Sequence, residues 1–413
     1  MSSTPKHICL ISQVYIPDPT SVGQHMADVA VELVRKGWKV TVLTSAVGYD
    51  DPTQTYPLSE IINGVEIRRV PYSSFGKKTI AHRLAGQFSF SAQVLWHALR
   101  LKSVDVLFVT TSPPTGGFLG AIVSKLKRVP MHFWVMDLNP DQAIEQGVVG
   151  AESIPARVFD LMNRCILKQA SSVIALDEFM AERLQRKGVR LNGKLKILPP
   201  WPMEDELQII EKSSNPFIKE HDLEGKLVLM YSGNHSPVHP LSTILEASKQ
   251  FTTKDRVVFA FIGGGQGKAE VEKFRAEHPG APILSLPYQP LDQIKFSLSA
   301  GDIHFVSIGA PMVGCVHPCK FYGAMALAKP VVLLGPSESH IGKWIDSDRI
   351  GWQIDHGKVQ ELVSLIRSFA DDSTELTARG SRGKALVTSQ LGKQQLTAQL
   401  TELITLAPDS TSV

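Results

Sequence analysis

The feature that most constrains this chain is a repeated alternation of short apolar runs with amphipathic stretches of helical period. "HICLISQ", from His7, is an apolar run of strand length. "SVGQHMADVAVELVRKG" carries apolar residues at helical spacing and stops at Gly37, and "KVTVLTS" is a second strand. Strand, helix and strand in succession form a crossover unit, which requires parallel pairing. The runs "DVLFVTT", "MHFWVMD", "SSVIALD" and "KLKILPP" continue the pattern, with helices expected near 117–127, 155–169 and 177–187. A doubly wound first domain over residues 1–200 is predicted.

After "LPPWPMEDE" the pattern restarts. "KLVLMYSGN", "RVVFAFIGGG", "PILSLP" and "DIHFVSI" read as strands separated by "HPLSTILEASKQF", "QGKAEVEKFRAEH" and "PLDQIKFSLSAG" as helices. The expected fold class is therefore α/β, with a second Rossmann-like doubly wound domain over 201–385 and a cleft between the two. A length of 413 residues suits two such cores. The segment 386–413, with the helical pattern "GKQQLTAQLTELITLA" after Gly392, is expected to pack back on the first domain. The prolines at 199–202 read as a stiff hinge.

A formal charge of +3 gives no global basic field for nucleic acid. Four scattered cysteines, Cys9, Cys165, Cys315 and Cys319, fit neither a disulfide framework nor a zinc site. "MSSTPKHICLISQ" enters a strand without the regions of a signal peptide, and no apolar run has the length of a membrane span. These features predict a reduced, cytoplasmic protein whose membrane contact is peripheral.

Several turns follow strands where ligands bind in open α/β sheets. In "TSVGQH", Gly23 would let backbone approach a phosphate or a sugar, and a helix-entry glycine explains it equally well. In "YSGNHSPVHP", Gly233 and Asn234 allow close approach, while His239 could donate to a phosphate oxygen ahead of a helix expected from Pro240. "FIGGGQGK" holds Gly263 and Gly264 among four glycines in five residues. It lacks the spacing and the hydroxyl after Lys268 of a phosphate-binding P-loop. In "GCVHPCKFYGAMALAKPVVLL", Pro318 stands at an expected first helical position and Lys320 adds a cation to the helix mouth, an arrangement suited to a diphosphate.

Together these turns resemble the nucleotide-sugar-dependent glycosyltransferases of the GT-B fold, retaining family 4, in the branch that builds bacterial surface polysaccharides such as colanic acid and O-antigen. The carriers span nearly the whole chain: "TSVGQH", "WVMDLNPD", "YSGN" with "VHPLSTILEA", "FIGGGQGKAEVE", "LPYQPLDQI" and "HPCKFYGAMALAKPVV". The resemblance implies a UDP-linked sugar donor, a sugar or polyprenyl-linked glycan acceptor, and retention; no carboxylate cluster that would hold a metal is evident in the sequence, so neither metal nor cofactor is expected. The resemblance adds Tyr288 and Gln289 to the donor side. Two departures stand out. The family's paired glutamates correspond here to Cys315 and Gly323, and its arginine and lysine for the diphosphate correspond to Asn234 and His239. Lys320 is then the main cation on the diphosphate, and Glu338 in "LGPSESHIG" is the remaining carboxylate for ribose hydroxyls.

Asp137 in "WVMDLNPD" ends a first-domain strand and is expected to hold or deprotonate an acceptor hydroxyl, with Asp141 as a competitor. "DSD" at 346–348 reads as a turn rather than a metal motif. The stretch from Ser74 to Lys102 interleaves Lys77, Lys78 and Arg83 with Phe75, Leu84, Phe88 and Trp96, a composition that suits anionic lipid heads as well as an ordinary solvated helix pair. Two other functions fit the same fold: a UDP-sugar 2-epimerase, and a non-catalytic nucleotide-sugar-binding homologue.

Overall fold

The computed structural model describes residues 5–49, 51–73, 80–203, 209–369 and 373–406. Lys77, Lys78 and Phe75 lie outside the described residues, as do the side chains of Arg83 and Leu84. The chain divides into two compact units. The first comprises Met1–Met203, Gly314–His317 and Gln394–Val413, and the second Glu204–Val313 with Pro318–Lys393.

The first unit is built on β1 (His7–Ile11), β2 (Lys39–Ser45), β3 (Ser59–Ile62), β4 (Val65–Val70), β5 (Val106–Thr110), β6 (Met131–Trp134), β7 (Ser172–Ala175) and β8 (Leu195–Ile197). They lie in the order β3-β4-β2-β1-β5-β6-β7-β8, parallel throughout except for β3 against β4. β1 sits mid-sheet with Ile8 opposite both Val40 and Val106, and its residues Ile8 to Ile11 are fully buried. An apolar run without alternation is what a strand covered on both faces requires. The helix Ser21–Arg35 buries Met26, Val29, Ala30 and Leu33, one stripe of period 3.6, and the chain leaves it at Gly37 with φ +82.

The β3–β4 hairpin is absent from the expected strands, although its turn, Asn63–Gly64 with both φ positive, is a strong local hairpin signal. The proline segment also differs from expectation. Trp201 is buried in the first unit, stacks on Trp134 at 5.8 Å, meets His25 edge-on and donates from Nε1 to Asp28 at 2.8 Å. Such an anchored residue cannot serve as a pivot, because moving it would strip a large aromatic surface of its packing. Within this unit the C-terminal helix Lys393–Thr405 buries Leu396, Leu400 and Ile404, and Lys36 Nζ donates to Thr401 Oγ1 at 2.6 Å.

The second unit carries β9 (Leu227–Ser232), β10 (Val257–Ile262), β11 (Ile283–Leu286), β12 (Ile303–Ser307), β13 (Val331–Leu334) and β14 (Gly351–Ile354), all parallel in the order β11-β10-β9-β12-β13-β14. Alternate residues feed two cores. Leu229, Tyr231, Phe259, Phe261 and Phe305 pack on one face, and Val228, Met230, Val258, Ala260 and Ile262 on the other. Because every strand runs the same way, the turns after β9, β10, β11 and β13 emerge along one edge of the sheet.

Candidate functional site

In the second unit the turns after β9 and β10 interlock. His235 N donates to Gly264 O at 2.7 Å, and Gly267 N donates to His235 O at 2.7 Å. A Cβ on Gly263 (φ +132) would sit 2.1 Å from Gly233 O, and one on Gly265 (φ +112) would sit 2.1 Å from Asn234 Oδ1. Positive φ and absent space together admit only glycine there. His235 is itself fully buried, with Nδ1 at 3.2 Å from Gly264 O, and burial holds its ring down to about 4. It is the residue that locks the two loops, and its place directly after "YSGN" was the available signal for it.

Lys320 stands over this floor. Its Nζ donates to Tyr231 Oη at 2.6 Å and lies 3.8 Å from the Tyr231 ring centroid, while Tyr231 Oη donates to Asn234 O at 2.8 Å. A Cβ on Gly233 (φ +129) would approach Lys320 Nζ to 3.5 Å. Surrounding atoms strip water from the ammonium and pull it from 10.5 down to about 7, opposed only by Cys319. Tyrosine is an uncharged partner, so the lysine retains an unmet demand for an anion. Lys320 opens the helix Lys320–Ala326, with Cys319 rather than Pro318 as its cap, so the proline is not the first helical residue. The helix expected from Pro240 begins at Ser242.

His239 takes a different chemical form from the expected one. Its Nδ1 lies 2.6 Å from Ser307 O, which can only accept, so the ring carries its proton there. Burial, with the Lys320 charge second, lowers the ring to about 3 and keeps it neutral. Nε2 is therefore an acceptor, and the ring has no second proton for a phosphate oxygen.

Tyr288, 53% exposed, lays its ring edge against Gly264, where a Cβ would stand 3.0 Å from Cε2. Gln289 turns its amide back to Pro287 O at 3.1 Å, and Glu338 is exposed in the turn after β13. The structure thus joins Gly233, Asn234, Gly263, Gly264, Tyr288 and Lys320 in direct contacts, with His239 within electrostatic reach of Lys320. Gln289 and Glu338 share the edge without a hydrogen bond to that cluster among the described residues. Lys268 is tied to Ser285 Oγ at 2.6 Å and Leu286 O at 2.8 Å, a structural role. Asp346 and Asp348 belong to the last turn of the helix His340–Asp348 rather than to a loop.

In the first unit, Asp137 follows β6, and its N–H donates to Thr111 Oγ1 at 3.2 Å. With Thr111, Asn139 and Asn163 it lines a small cavity. Burial pushes its carboxyl up to about 6, against a smaller downward pull from His317. His317 Nδ1 donates to Asp177 Oδ2 at 2.8 Å, and Asp177 also accepts from Met180 N at the start of the helix Glu178–Gln185. This buried pair escaped the sequence reading, although His317 sits inside the lysine-bearing stretch already singled out. Asp141 is committed to Lys187 at 2.6 Å, which removes it as a competitor. Gly23 is buried, and its N–H donates to the Thr20 cap at 3.3 Å while a Cβ would press on Tyr15. It is a helix-entry glycine with no N–H left for a ligand. Burial pushes the Cys315 thiol up to about 12, so it stays neutral and does not replace a carboxylate.

Residues 20–201 match the glycosyl transferase 4-like domain family. The chain is 26% identical to the probable glycosyltransferase WbjE of Pseudomonas aeruginosa over 88% of its length and 89% of that protein. Among solved structures it resembles Anabaena HepE in complex with UDP, with 16% identity, TM-score 0.70, and 96% of this chain and 98% of the other covered. It also resembles WaaG, a glycosyltransferase involved in lipopolysaccharide biosynthesis, with 14% identity, TM-score 0.71, and 97% and 100% covered. The two-sheet architecture is that of the GT-B fold, as the sequence led us to expect.

Proposed function

We infer that this GT-B glycosyltransferase takes a UDP-linked sugar and transfers the sugar to a glycan hydroxyl, with retention at the anomeric carbon and without a metal ion, in surface-polysaccharide assembly. Lys320 carries the donor half of this reading. It is an enclosed ammonium with a tyrosine partner instead of a carboxylate, over glycines that let a ligand approach the backbone. As the glycosidic bond breaks, negative charge accumulates on the leaving diphosphate, and a preorganised cation in a poorly solvated setting stabilises it most at that point. The exposed Tyr288 ring offers a face for the base, Glu338 a carboxylate for ribose hydroxyls, and His239 Nε2 an acceptor for a hydroxyl of the donor.

On the acceptor side, in the first unit, Asp137 holds the incoming hydroxyl, which must enter on the face the diphosphate leaves if a single displacement is to retain configuration, and takes its proton as the new bond to the anomeric carbon forms and the bond to the diphosphate breaks. A carboxyl raised to about 6 is a stronger base than an ordinary aspartate and is still ionised at neutral pH. The proposed acceptor is a glycan carried on a polyprenyl lipid. Calorimetric titration of UDP, with a chelator present throughout, tests the donor half. A charge-assisted hydrogen bond to phosphate contributes roughly 1.5–3 kcal/mol, so Lys320→Ala should weaken UDP binding about tenfold or more. Unchanged affinity would place the diphosphate elsewhere, and loss of wild-type binding in chelator would return a metal to the mechanism.

A further inference from the structure

One helix of the first unit turns a row of apolar side chains outward. The helix Ile154–Gln169 is capped by Ser153, whose Oγ accepts from Ala156 N at 3.4 Å, and carries Pro155 in its first turn. Its inner side buries Ala156, Ile166 and Leu167, and Ile166 lies against Gly117, where a Cβ would stand 3.0 Å from Ile166 Cδ1. Asn163 and Leu167 from this helix line the cavity of Asp137. The outer side holds Ile154, Val158, Leu161 and Cys165, which follow one another in steps of four, three and four residues. Ile154 is 78%, Val158 50% and Leu161 62% exposed, and Cys165 is exposed as well. A helix whose outer face met only water would carry polar residues there. Alternating steps of four and three are the spacing of a seam between two helices, because an average of 3.5 residues keeps one stripe against the partner.

The charges that flank the seam are nearly all settled within the chain. Arg157 bonds to Glu152 at 2.6 Å and Arg164 to Asp160 at 2.8 Å. Lys187 bonds to Asp141 at 2.6 Å and to Asp160 at 3.1 Å. Among the described residues, exposed Lys168 near the C-terminal end is the one cation of this helix without an acidic partner. A face so close to neutral gives an anionic polymer or head group little to hold, and it lets like meet like.

We propose that this helix pairs with its own copy, antiparallel across a twofold axis, and so makes the enzyme a dimer. With the axis crossing between Phe159 and Asp160, Ile154 meets Cys165 of the partner subunit and Val158 meets Leu161 of the partner subunit. Each layer then sets a larger side chain against a smaller one, which lets the two rows interdigitate. The same axis brings Lys168 beside Glu152 of the partner subunit. Glu152 is 87% exposed and keeps oxygen lone pairs beyond its bond to Arg157, so it can take a second cation. A parallel pair would set Lys168 on Lys168 and Glu152 on Glu152. Stable dimers bury about 800 Å² per partner. An open groove of about 360 Å³, lined by Pro140, Ile144, Ala156 and Leu161, continues the apolar surface beside the seam toward that area. The inference is independent of the donor reading, because this helix belongs to the first unit and Lys320 to the second.

Sedimentation velocity of the full chain tests it, and a dimer that dissociates in the micromolar range is expected. Val158→Glu and Leu161→Glu each act twice across the axis by burying carboxylates in the seam, so each should weaken the dimer about a hundredfold or more. Both positions are exposed in the single chain, so the variants should keep the circular dichroism spectrum and the UDP affinity of the parent. A short bismaleimide added to Ile154→Cys should join the new thiol to Cys165 of the partner subunit, and Cys165→Ser should remove that link. A chain that stays monomeric up to about 100 μM would overturn the proposal, and with UDP affinity intact it would leave the transferase reading standing. A dimer indifferent to both glutamates, or a link between two Cys165 side chains in the parent, would overturn it as well. So would monomers that sediment with lipid vesicles only while Val158 and Leu161 are intact, which would give the face to lipid.

Discussion

Donor affinity should fall as pH rises through neutrality, and Lys320 sets the size of the effect. Burial brings its ammonium down to about 7, and binding a diphosphate requires the proton to be on the nitrogen. Apparent affinity then follows the protonated fraction, about one half at pH 7 and about one hundredth at pH 9, so UDP should bind about fiftyfold more weakly at the higher pH. The stability of the free protein moves the other way. Below pH 7 the folded and unfolded chains both carry the proton, and the cost of burying the charge is felt in full. Between pH 7 and 10.5 only the unfolded chain keeps it, so the fold gains stability as pH rises through that window. The shift corresponds to about 5 kcal/mol at most, and the partial solvent access of Lys320 reduces the usable figure to about 2 kcal/mol. Lys320→Met should therefore melt above the parent at pH 7 in the absence of ligand and gain less from UDP than the parent does. Calorimetric titrations at pH 7, 8 and 9, with Lys320→Met as the baseline for ionisation of UDP itself, supply the first measurement, and scanning calorimetry the second. An affinity in the parent that is flat across that range, or a Lys320→Met protein that melts lower at pH 7, would refute the reasoning.

Two further outcomes follow from the same geometry. Asp137→Asn should abolish transfer while leaving UDP affinity within about twofold, and it should stabilise the protein above pH 6, where burial of the ionised carboxylate is otherwise a penalty of up to about 3 kcal/mol. Turnover in the parent should fall as pH drops through about 6; equal turnover by Asp137→Asn would remove the carboxylate from the chemistry. Gly263→Ala must push Gly233 O away from a 2.1 Å overlap at a positive φ, so it should cost about 2 kcal/mol or more in urea unfolding and weaken UDP at least as much as Lys320→Ala does.

What the sequence determined by itself was the architecture; the kind of enzyme was implied by the family resemblance of its ordered turns. Strand and helix leave a local periodicity, so "HICLISQ", "RVVFAFIGGG" and the helix that stops at Gly37 were legible from neighbouring residues alone, and a parallel sheet followed from their alternation. The GT-B fold and glycosyltransferase reading drawn from the ordered turns agrees with the family match and the structural relatives. The Asn63–Gly64 hairpin was equally local and was overlooked. Tertiary structure decided the chemistry of individual groups. Lys320 is 89 residues from the tyrosine that accepts its hydrogen bond, His317 is 140 residues from Asp177, and Gly265 is glycine because Asn234 occupies the space of its Cβ. Whether His239 donates or accepts depends on the Ser307 carbonyl 68 residues away. The pKa and hydrogen-bonding role of a side chain are set by which distant atoms exclude water from it, and hydrophobic periodicity records only which face of its own element is covered.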